Sequence, residues 1–153
     1  MCISSKIRKF IDQQINNNSD KPFNGTIIVI GNKIMCYATS CNLGRPSNYV
    51  SRRAKTDKIV VSIHAEIKAL QLIRRSVLKK RKYKSVVVIN FRSTNTGIKN
   101  SCCCIPCMQT LNSLGINKVI YSNENGDFVK SNIEKISNIA IYSRGSRQYM
   151  QNL

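Results

Sequence analysis

One histidine, one glutamate and two cysteines stand at spacings that could build a metal site. Glu66 follows His64 by two residues, and Cys107 follows Cys104 by three residues. One imidazole and two thiolates make three protein ligands, which is the number an open catalytic zinc site uses while it keeps a fourth position for water. A carboxylate beside that water can accept its proton. These residue types therefore predict a hydrolytic reaction assisted by zinc.

Two predicted helices would carry these four residues. One helix is predicted to begin near Ser62, because one face at helical spacing would hold Ile63, Ile67, Leu70, Ile73 and Val77. A second helical pattern runs from about Ile105 to Leu114. The histidine would lie at the opening of the first of these helices and the cysteine pair at the opening of the second. Backbone dipoles at helix N-termini favour thiolates. Positions i and i+3 project from the same side of a helix, so both cysteines can hold one ion, while Glu66 would face differently, as suits a proton shuttle.

Short apolar runs alternate with the helical patterns and predict an α/β fold. The order strand, helix, strand across residues 85–122 implies parallel pairing through a right-handed crossover. We predict a single domain over 1–153, folded as a three-layer α/β/α sandwich around a mixed sheet of about five strands. The other predicted elements are a helix over 3–15, strands over 26–30 and 33–39 that are joined at Gly31-Asn32, and strands over 85–91 and 118–121.

The segment after residue 122 allows two interpretations. Asn125-Gly126 is typical of a hairpin turn, which would send Phe128–Ile133 back antiparallel to the preceding strand. In the alternative, 131–138 is helical and Ile139–Tyr142 supplies a parallel edge strand. The hairpin is slightly favoured.

Composition limits the class of protein. The chain has 153 residues with 42% hydrophobic residues, enough for one globular core, and no apolar run approaches the roughly 20 residues of a membrane span. No signal peptide is visible, and seven cysteines form an odd count, so we expect an intracellular, reducing compartment and metal binding rather than a disulfide framework. The formal net charge of +18 favours a polyanionic partner such as nucleic acid, although a basic surface can also serve solubility alone.

Each motif taken alone has an ordinary structural interpretation. A single histidine beside an apolar helix is usually a core or capping residue, and a CxxC pair can be a redox pair or half of a structural zinc site. The joint occurrence of both motifs with Glu66, in the right strand and helix contexts, favours the zinc site.

The pairing of His64-Ala65-Glu66 with the distant run from Ser101 to Cys107 resembles the cytidine deaminase superfamily, whose signature is H-x-E followed by P-C-x-x-C. The resemblance spans roughly residues 25–122. One departure is visible, because Cys103 stands where the family has proline. Cys102 or Cys103 could therefore compete with Cys104 as a ligand, although only Cys104 has CxxC spacing to Cys107.

The resemblance implies hydrolytic removal of an exocyclic amine from a cytosine or adenine base. It implies Zn²⁺ held by His64, Cys104 and Cys107, and Glu66 as the residue that carries protons from water to the ring nitrogen and the departing ammonia. It also implies that the Ala65 backbone lines the base pocket, and more loosely that Asn42 contacts the sugar.

Basic residues crowd the segment between Asn42 and His64, which should overhang the pocket. This placement favours a substrate that carries phosphates, either a nucleotide or a DNA or RNA strand, and Tyr49 could stack on a base. The alternative is an ordinary solvated loop. No membrane partner is expected, and a homo-oligomer is left open by the resemblance. The predicted nucleic-acid-binding residues are Arg45, Arg52, Arg53 and Lys55.

The sequence is compatible with three functions. An active deaminase is favoured by the intact Glu66, which a purely structural zinc site does not need. A catalytically silent nucleic-acid-binding or packaging protein on the same fold is favoured by the charge and by Cys103. A small DNA-binding module with structural zinc is disfavoured by the apolar strands. The abundance of Asn, Ile and Lys hints at an AT-rich genome such as that of a large virus.

Overall fold

A mixed β-sheet with helices on both faces forms the described part of the chain, which in the computed structural model comprises residues 3–18, 21–42, 62–73 and 85–140. The helices are α1 (Ser5–Asn17), α2 (Ala65–Leu72), α3 (Ile105–Ser113) and α4 (Ile133–Ser137). The strands are β1 (Phe23–Ile30), β2 (Lys33–Thr39), β3 (Cys41–Asn42), β4 (Ser62–Ile63), β5 (Val86–Thr94), β6 (Gly97–Lys99), β7 (Lys118–Ser122) and β8 (Phe128–Asn132).

The strand order of the main sheet is β2-β1-β5-β7-β8. β1 pairs antiparallel with β2 and β5, whereas β5 and β7 are parallel, as the predicted crossover requires. β8 returns antiparallel to β7, so the hairpin interpretation after Asn125-Gly126 is confirmed. The strand that the alternative placed at Ile139–Tyr142 extends beyond the described residues. The short helix α4 nevertheless follows β8 directly.

Helices cover both faces of the sheet, so the predicted three-layer mixed α/β fold is confirmed. β1 and β5 are buried on both faces, which is why their sequences are continuous apolar runs rather than alternating ones. The face covered by α1 packs Ile7 and Ile11 against Ile27, Ile89 and Phe91. The opposite face packs the remaining helices against β1, β5 and β7 through Ala69, Leu111, Ile133, Ile136, Ile28, Val88 and Val119.

The second predicted helix begins later than its apolar periodicity indicates. Ser62 and Ile63 pair with Asn42 and Cys41 in the small β3–β4 ladder, so their backbone groups are committed to a strand. His64 follows with extended backbone angles, φ −67° and ψ 149°, and α2 starts at Ala65. The histidine therefore immediately precedes the helix, and Val77, the predicted far end of its apolar face, lies outside the described residues.

A hairpin that the sequence pattern did not predict separates β5 from the cysteine segment. β5 extends to Thr94 because its end pairs with Phe23 and Asn24 of β1, and β6 then folds back against it. The turn closes at Gly97, whose φ of +117° is readily adopted only by glycine. The chain thus returns to the middle of the sheet before the cysteines begin.

None of the helices in the described ranges is both long and apolar enough to cross a membrane.

Gly25 makes room for the largest fully buried side chain of the described core. It lies opposite Phe91 on the neighbouring strand, and a Cβ at this position would overlap the Phe91 ring. That ring cannot easily move, because Tyr37 stacks on it with centroids 6.2 Å apart and Phe23 meets it edge-on. We expect Gly25→Ala to lower the free energy of unfolding in urea by about 1–3 kcal/mol through overpacking. The same change should cost much less in a Phe91→Leu background, and an equal cost in both backgrounds would contradict this explanation.

Candidate active site

Three potential metal ligands converge from two helix N-termini. His64 immediately precedes α2, Cys104 immediately precedes α3, and Cys107 lies in the first turn of α3. The Nδ1 atom of His64 lies 3.2 Å from the Sγ atom of Cys104 and 3.2 Å from that of Cys107. All three ligand atoms lie within 4.8 Å of one another. Tertiary packing thus brings together side chains that are 40 or more positions apart in the chain.

The donor set fits a zinc ion. Zn–N bonds of about 2.0–2.1 Å and Zn–S bonds of about 2.3 Å in tetrahedral geometry place nitrogen and sulfur about 3.5 Å apart. The observed separations of 3.2 Å need to open only slightly to reach that value. One imidazole and two thiolates are also the soft, nitrogen and sulfur ligands that zinc prefers over carboxylate or carbonyl oxygen.

The two cysteines of the site differ in acidity. The hydrogen bond between the thiols lowers the pKa of Cys104, an effect that burial opposes and that the hydrogen bond with His64 reinforces. The same thiol–thiol hydrogen bond and burial raise the pKa of Cys107. The hydrogen bond with Cys104 raises the pKa of His64, although burial acts against it. The opposite directions of these pKa shifts favour Cys104 as the thiolate of the pair, and binding of a metal ion would require Cys107 to lose its proton as well.

Glu66 lies beside these three residues without joining them. Its carboxylate Oε1 accepts a hydrogen bond of 3.1 Å from the side-chain amide of Asn90. Burial raises the pKa of Glu66, although a hydrogen bond from its own backbone lowers it in part. A carboxylate that is held near a metal site but is not among its ligands is placed to exchange protons with a bound molecule.

Asn90 and Thr26 are site-associated residues that the sequence reasoning missed. Both are almost fully buried, with 2% and 1% of their surface exposed. The Thr26 hydroxyl donates to Asn90 Oδ1 at 2.8 Å, and Asn90 Nδ2 donates to Glu66 and, at 3.0 Å, to Cys103 Sγ. The available signal was a single amide side chain in an otherwise apolar strand, because a buried polar group needs partners.

Cys102 and Cys103 do not take the place of Cys104. Cys103 is 1% exposed, its thiol accepts the hydrogen bond from Asn90, and burial raises its pKa well above the usual value. Cys102 is half-buried, and burial raises its pKa too. Within the part of the chain that the structure describes, the cluster of ligand atoms consists of His64, Cys104 and Cys107.

A second polar cluster anchors the segment that leads into the cysteines. Ser101 Oγ donates to the backbone carbonyl of Asn90 at 2.8 Å and lies 2.8 Å from Ser122 Oγ. The Ser122 hydroxyl is fully buried and donates to the carbonyl of Lys99 at 2.7 Å. These bonds tie the end of the β5–β6 hairpin to β7, so the cysteine segment starts from a fixed point.

The predicted substrate-binding residues are described only in part. Ala65 is buried as the first residue of α2, between His64 and Glu66. The backbone of Asn42 pairs with Ser62, two residues before His64, which places the Asn42 backbone near the site. Tyr49 and the four predicted nucleic-acid-binding residues, Arg45, Arg52, Arg53 and Lys55, lie outside the described residues.

Comparisons with known proteins found similarity among solved structures. No family model matches the sequence, and no curated protein is significantly similar to it. Among solved structures, the chain is similar to the dCMP deaminase of the cyanophage S-TIM5, crystallised in complex with dCMP and dUMP. That similarity covers 92% of this chain and 96% of the other chain at 16% sequence identity, with a TM-score of 0.44.

Proposed function

We propose that the protein is a zinc-dependent deaminase that removes the exocyclic amine from a cytosine or adenine base of a nucleotide or nucleic acid. The observation that carries the proposal is the convergence of one imidazole nitrogen and two cysteine sulfurs with a carboxylate beside them. A structural zinc site uses four protein ligands, whereas the cluster found in the described ranges offers three. A redox CxxC pair needs neither the histidine nor the glutamate.

In this proposal the three clustered side chains would hold the metal, with His64 contributing Nδ1 and Cys104 and Cys107 contributing sulfur. When bound, zinc lowers the pKa of a water molecule towards neutrality, so that the water can attack as a nucleophile. The imidazole nitrogen must be unprotonated to bind a metal, which places the histidine's remaining proton on Nε2.

Glu66 would move the protons of the reaction. Its carboxylate accepts a proton from the attacking water and delivers it to the ring nitrogen of the base, and a second transfer protonates the amine that leaves as ammonia. The reaction consumes one water and exchanges the amine of the base for an oxygen. Ala65 would line the base pocket through its backbone, and Asn42 would contact the sugar.

The proposal is tested by measuring metal content and ammonia release on the same preparation. We expect about one zinc per chain and turnover of at least one substrate among cytidine, dCMP, adenosine and single-stranded oligonucleotides. Sequencing of the oligonucleotide products identifies the base, because deaminated cytosine and adenine are both read as different bases. Stoichiometric zinc without turnover of any of these substrates would contradict the deaminase and favour the silent binding protein.

The net charge of +18 supports a polynucleotide as the substrate or the partner. We expect the affinity for a single-stranded oligonucleotide to fall steeply with salt, since each phosphate that the protein neutralises contributes about 0.7 to the logarithmic slope. The double substitution Arg52→Gln with Arg53→Gln should make that dependence shallower, by about 1.4 in the logarithmic slope, if both residues contact phosphates. The matched control is the double substitution Lys6→Gln with Lys9→Gln on α1, which packs on the face of the sheet opposite α2 and α3. An affinity that does not depend on salt would contradict nucleic-acid binding.

A further inference from the structure

We propose that Asn90 is a positioning residue that joins Glu66 to Cys103 and so fixes the proton-carrying carboxylate relative to the cysteine segment. This inference rests on the proposed role of Glu66 in deamination. It adds a residue from the centre of the sheet to a site whose other members come from the openings of two helices.

Both N–H groups of the Asn90 side-chain amide donate hydrogen bonds. Nδ2 donates to Glu66 Oε1 at 3.1 Å and to Cys103 Sγ at 3.0 Å. Glu66 lies two residues after His64, and Cys103 directly precedes Cys104. A single planar group thus links the segment that carries the histidine to the segment that carries the cysteines.

Thr26 determines which way the amide points. Its hydroxyl is the donor in the 2.8 Å hydrogen bond to Asn90 Oδ1, since a carbonyl oxygen can only accept. If the amide were flipped, its oxygen would face the Glu66 carboxylate and neither group could donate. The Thr26 hydroxyl therefore favours the orientation in which the amide nitrogen faces Glu66 and Cys103.

The position of Asn90 in the sheet makes it a rigid support. It is paired on one side with Thr26 of β1 and on the other with Tyr121 of β7. Its backbone carbonyl also accepts the hydrogen bond from Ser101, so the cysteine segment is tied to Asn90 by both backbone and side chain. Site residues supported by central strands are held more accurately than residues supported by loops.

The hydrogen bond from Asn90 to Cys103 gives a reason why cysteine stands at position 103, where the P-C-x-x-C pattern has proline. A proline at position 103 would offer no side-chain acceptor to the second N–H of the amide, which would be left unsatisfied in a buried setting. The Cys103 thiol supplies that acceptor. Cys103 and Asn90 therefore function as a pair, and Cys103 contributes to the site without binding the metal.

For Glu66 the consequence is that the amide fixes Oε1, while a backbone hydrogen bond and a side-chain hydrogen bond with Cys103 also hold the carboxyl group. Loss of the amide should leave substrate binding almost unchanged, because Asn90 is assigned no substrate contact, but should let the carboxylate adopt unproductive orientations. Removing a group that orients a residue of a metal site typically costs 10- to 100-fold in activity.

The test compares Asn90→Leu and Thr26→Val with the wild type, both as zinc-loaded protein. We expect kcat to fall about 10- to 100-fold in Asn90→Leu at nearly unchanged KM and zinc content, and to fall less in Thr26→Val. Adding Thr26→Val to Asn90→Leu should lower kcat no further, because the hydroxyl acts through the amide. Ser93→Ala is the matched control, as a buried polar residue of β5 on the opposite face of the sheet.

Conservative replacement of Cys103 provides a second measurement. Cys103→Ser keeps an acceptor and should retain most of the wild-type kcat, whereas Cys103→Ala should reproduce part of the loss seen in Asn90→Leu. If the role of Cys103 were to fill space only, the alanine and serine variants would behave alike.

A readout that does not depend on turnover is the nuclear magnetic resonance signal of the Asn90 side-chain amide in zinc-loaded, ¹⁵N-labelled protein. The two amide protons should exchange slowly with water, Glu66→Ala should shift one of them, and Cys103→Ala should shift the other. Ser93→Ala should shift neither.

The outcomes separate this inference from the proposed function. If the wild type turns over none of the tested substrates, the proposed function fails. If the wild type is active and Glu66→Gln is equally active, Glu66 carries no proton and the role of Asn90 is overturned with it. If Glu66→Gln is inactive while Asn90→Leu and Thr26→Val keep the wild-type kcat, the role of Asn90 is overturned and the deaminase stands. If Asn90→Leu does not fold, two other measurements test the inference. A wild-type kcat in Thr26→Val would overturn it, and so would rapid exchange of the Asn90 amide protons with water in the wild-type protein.

Discussion

Glu66→Gln is expected to lower the rate of ammonia release by about 10²–10⁴-fold while the zinc content stays at the wild-type level. Glutamine has nearly the same shape as glutamate, and its side-chain oxygen can still accept the hydrogen bond from Asn90 Nδ2. What it loses is the ability to take a proton from water and deliver it to the base. The loss should therefore fall on kcat, and the measurement is steady-state ammonia release together with zinc analysis of the same samples.

The matched control is Glu134→Gln, because Glu134 is an exposed glutamate in the first turn of a different helix, α4. It carries the same chemical change at a residue that does not belong to the ligand cluster and should leave both turnover and zinc unaltered. Full turnover by Glu66→Gln would contradict the proposed role of this carboxylate as the proton carrier.

Cys107→Ser is expected to abolish stoichiometric zinc binding and, with it, the zinc-dependent part of the stability. A hydroxyl is a far poorer zinc ligand than a thiolate, so only two strong ligands would remain. A ligand that binds only the folded state stabilises it by about 4 kcal/mol when its free concentration is 1,000 times its dissociation constant. The melting temperature of the wild type should therefore fall when zinc is removed by a chelator, whereas that of Cys107→Ser should not respond.

Two other cysteines provide controls for the metal prediction. Cys36 lies on β2, and its thiol donates to the carbonyl of Ala69 in α2, at 3.3 Å, so Cys36→Ser should keep the zinc and the response to the chelator. Cys102→Ser should keep the zinc as well, because Cys102 does not belong to the ligand cluster. Zinc retained by Cys107→Ser, or lost from Cys102→Ser, would show that a different ligand set operates.

Most of the architecture around the site could be predicted from local sequence patterns. The continuous apolar runs of β1 and β5 indicate strands buried on both faces, and Pro106 with Gly115 brackets α3. The predicted start of α2 was wrong because backbone pairing with a distant strand, β3, determines the structure there. Ser62 and Ile63 have the periodicity of a helix, but their pairing with β3 makes them a strand, so α2 begins only at Ala65.

The residues of the candidate metal site could be predicted because their chemistry depends on residue type and on spacings of two and three positions. His64, Glu66, Cys104 and Cys107 needed no knowledge of the fold to be chosen. Residue type alone does not show which of the consecutive cysteines is the candidate ligand, because Cys102, Cys103 and Cys104 carry the same side chain. Packing separates them, as Cys103 turns into the core towards Asn90 while Cys104 faces His64.

By itself, the sequence of this protein determined the candidate metal ligands, the proposed proton carrier, the apolar strands and the strong positive charge, because each of these depends on composition or on neighbours a few positions apart. Only the tertiary structure decided that a buried amide on the central strand contacts both the glutamate and a cysteine. Asn90 is 24 positions from Glu66, 13 from Cys103 and 64 from Thr26, so no local pattern links them. Strand register and the turn of the β5–β6 hairpin set those distances, and both depend on the packing of the whole sheet.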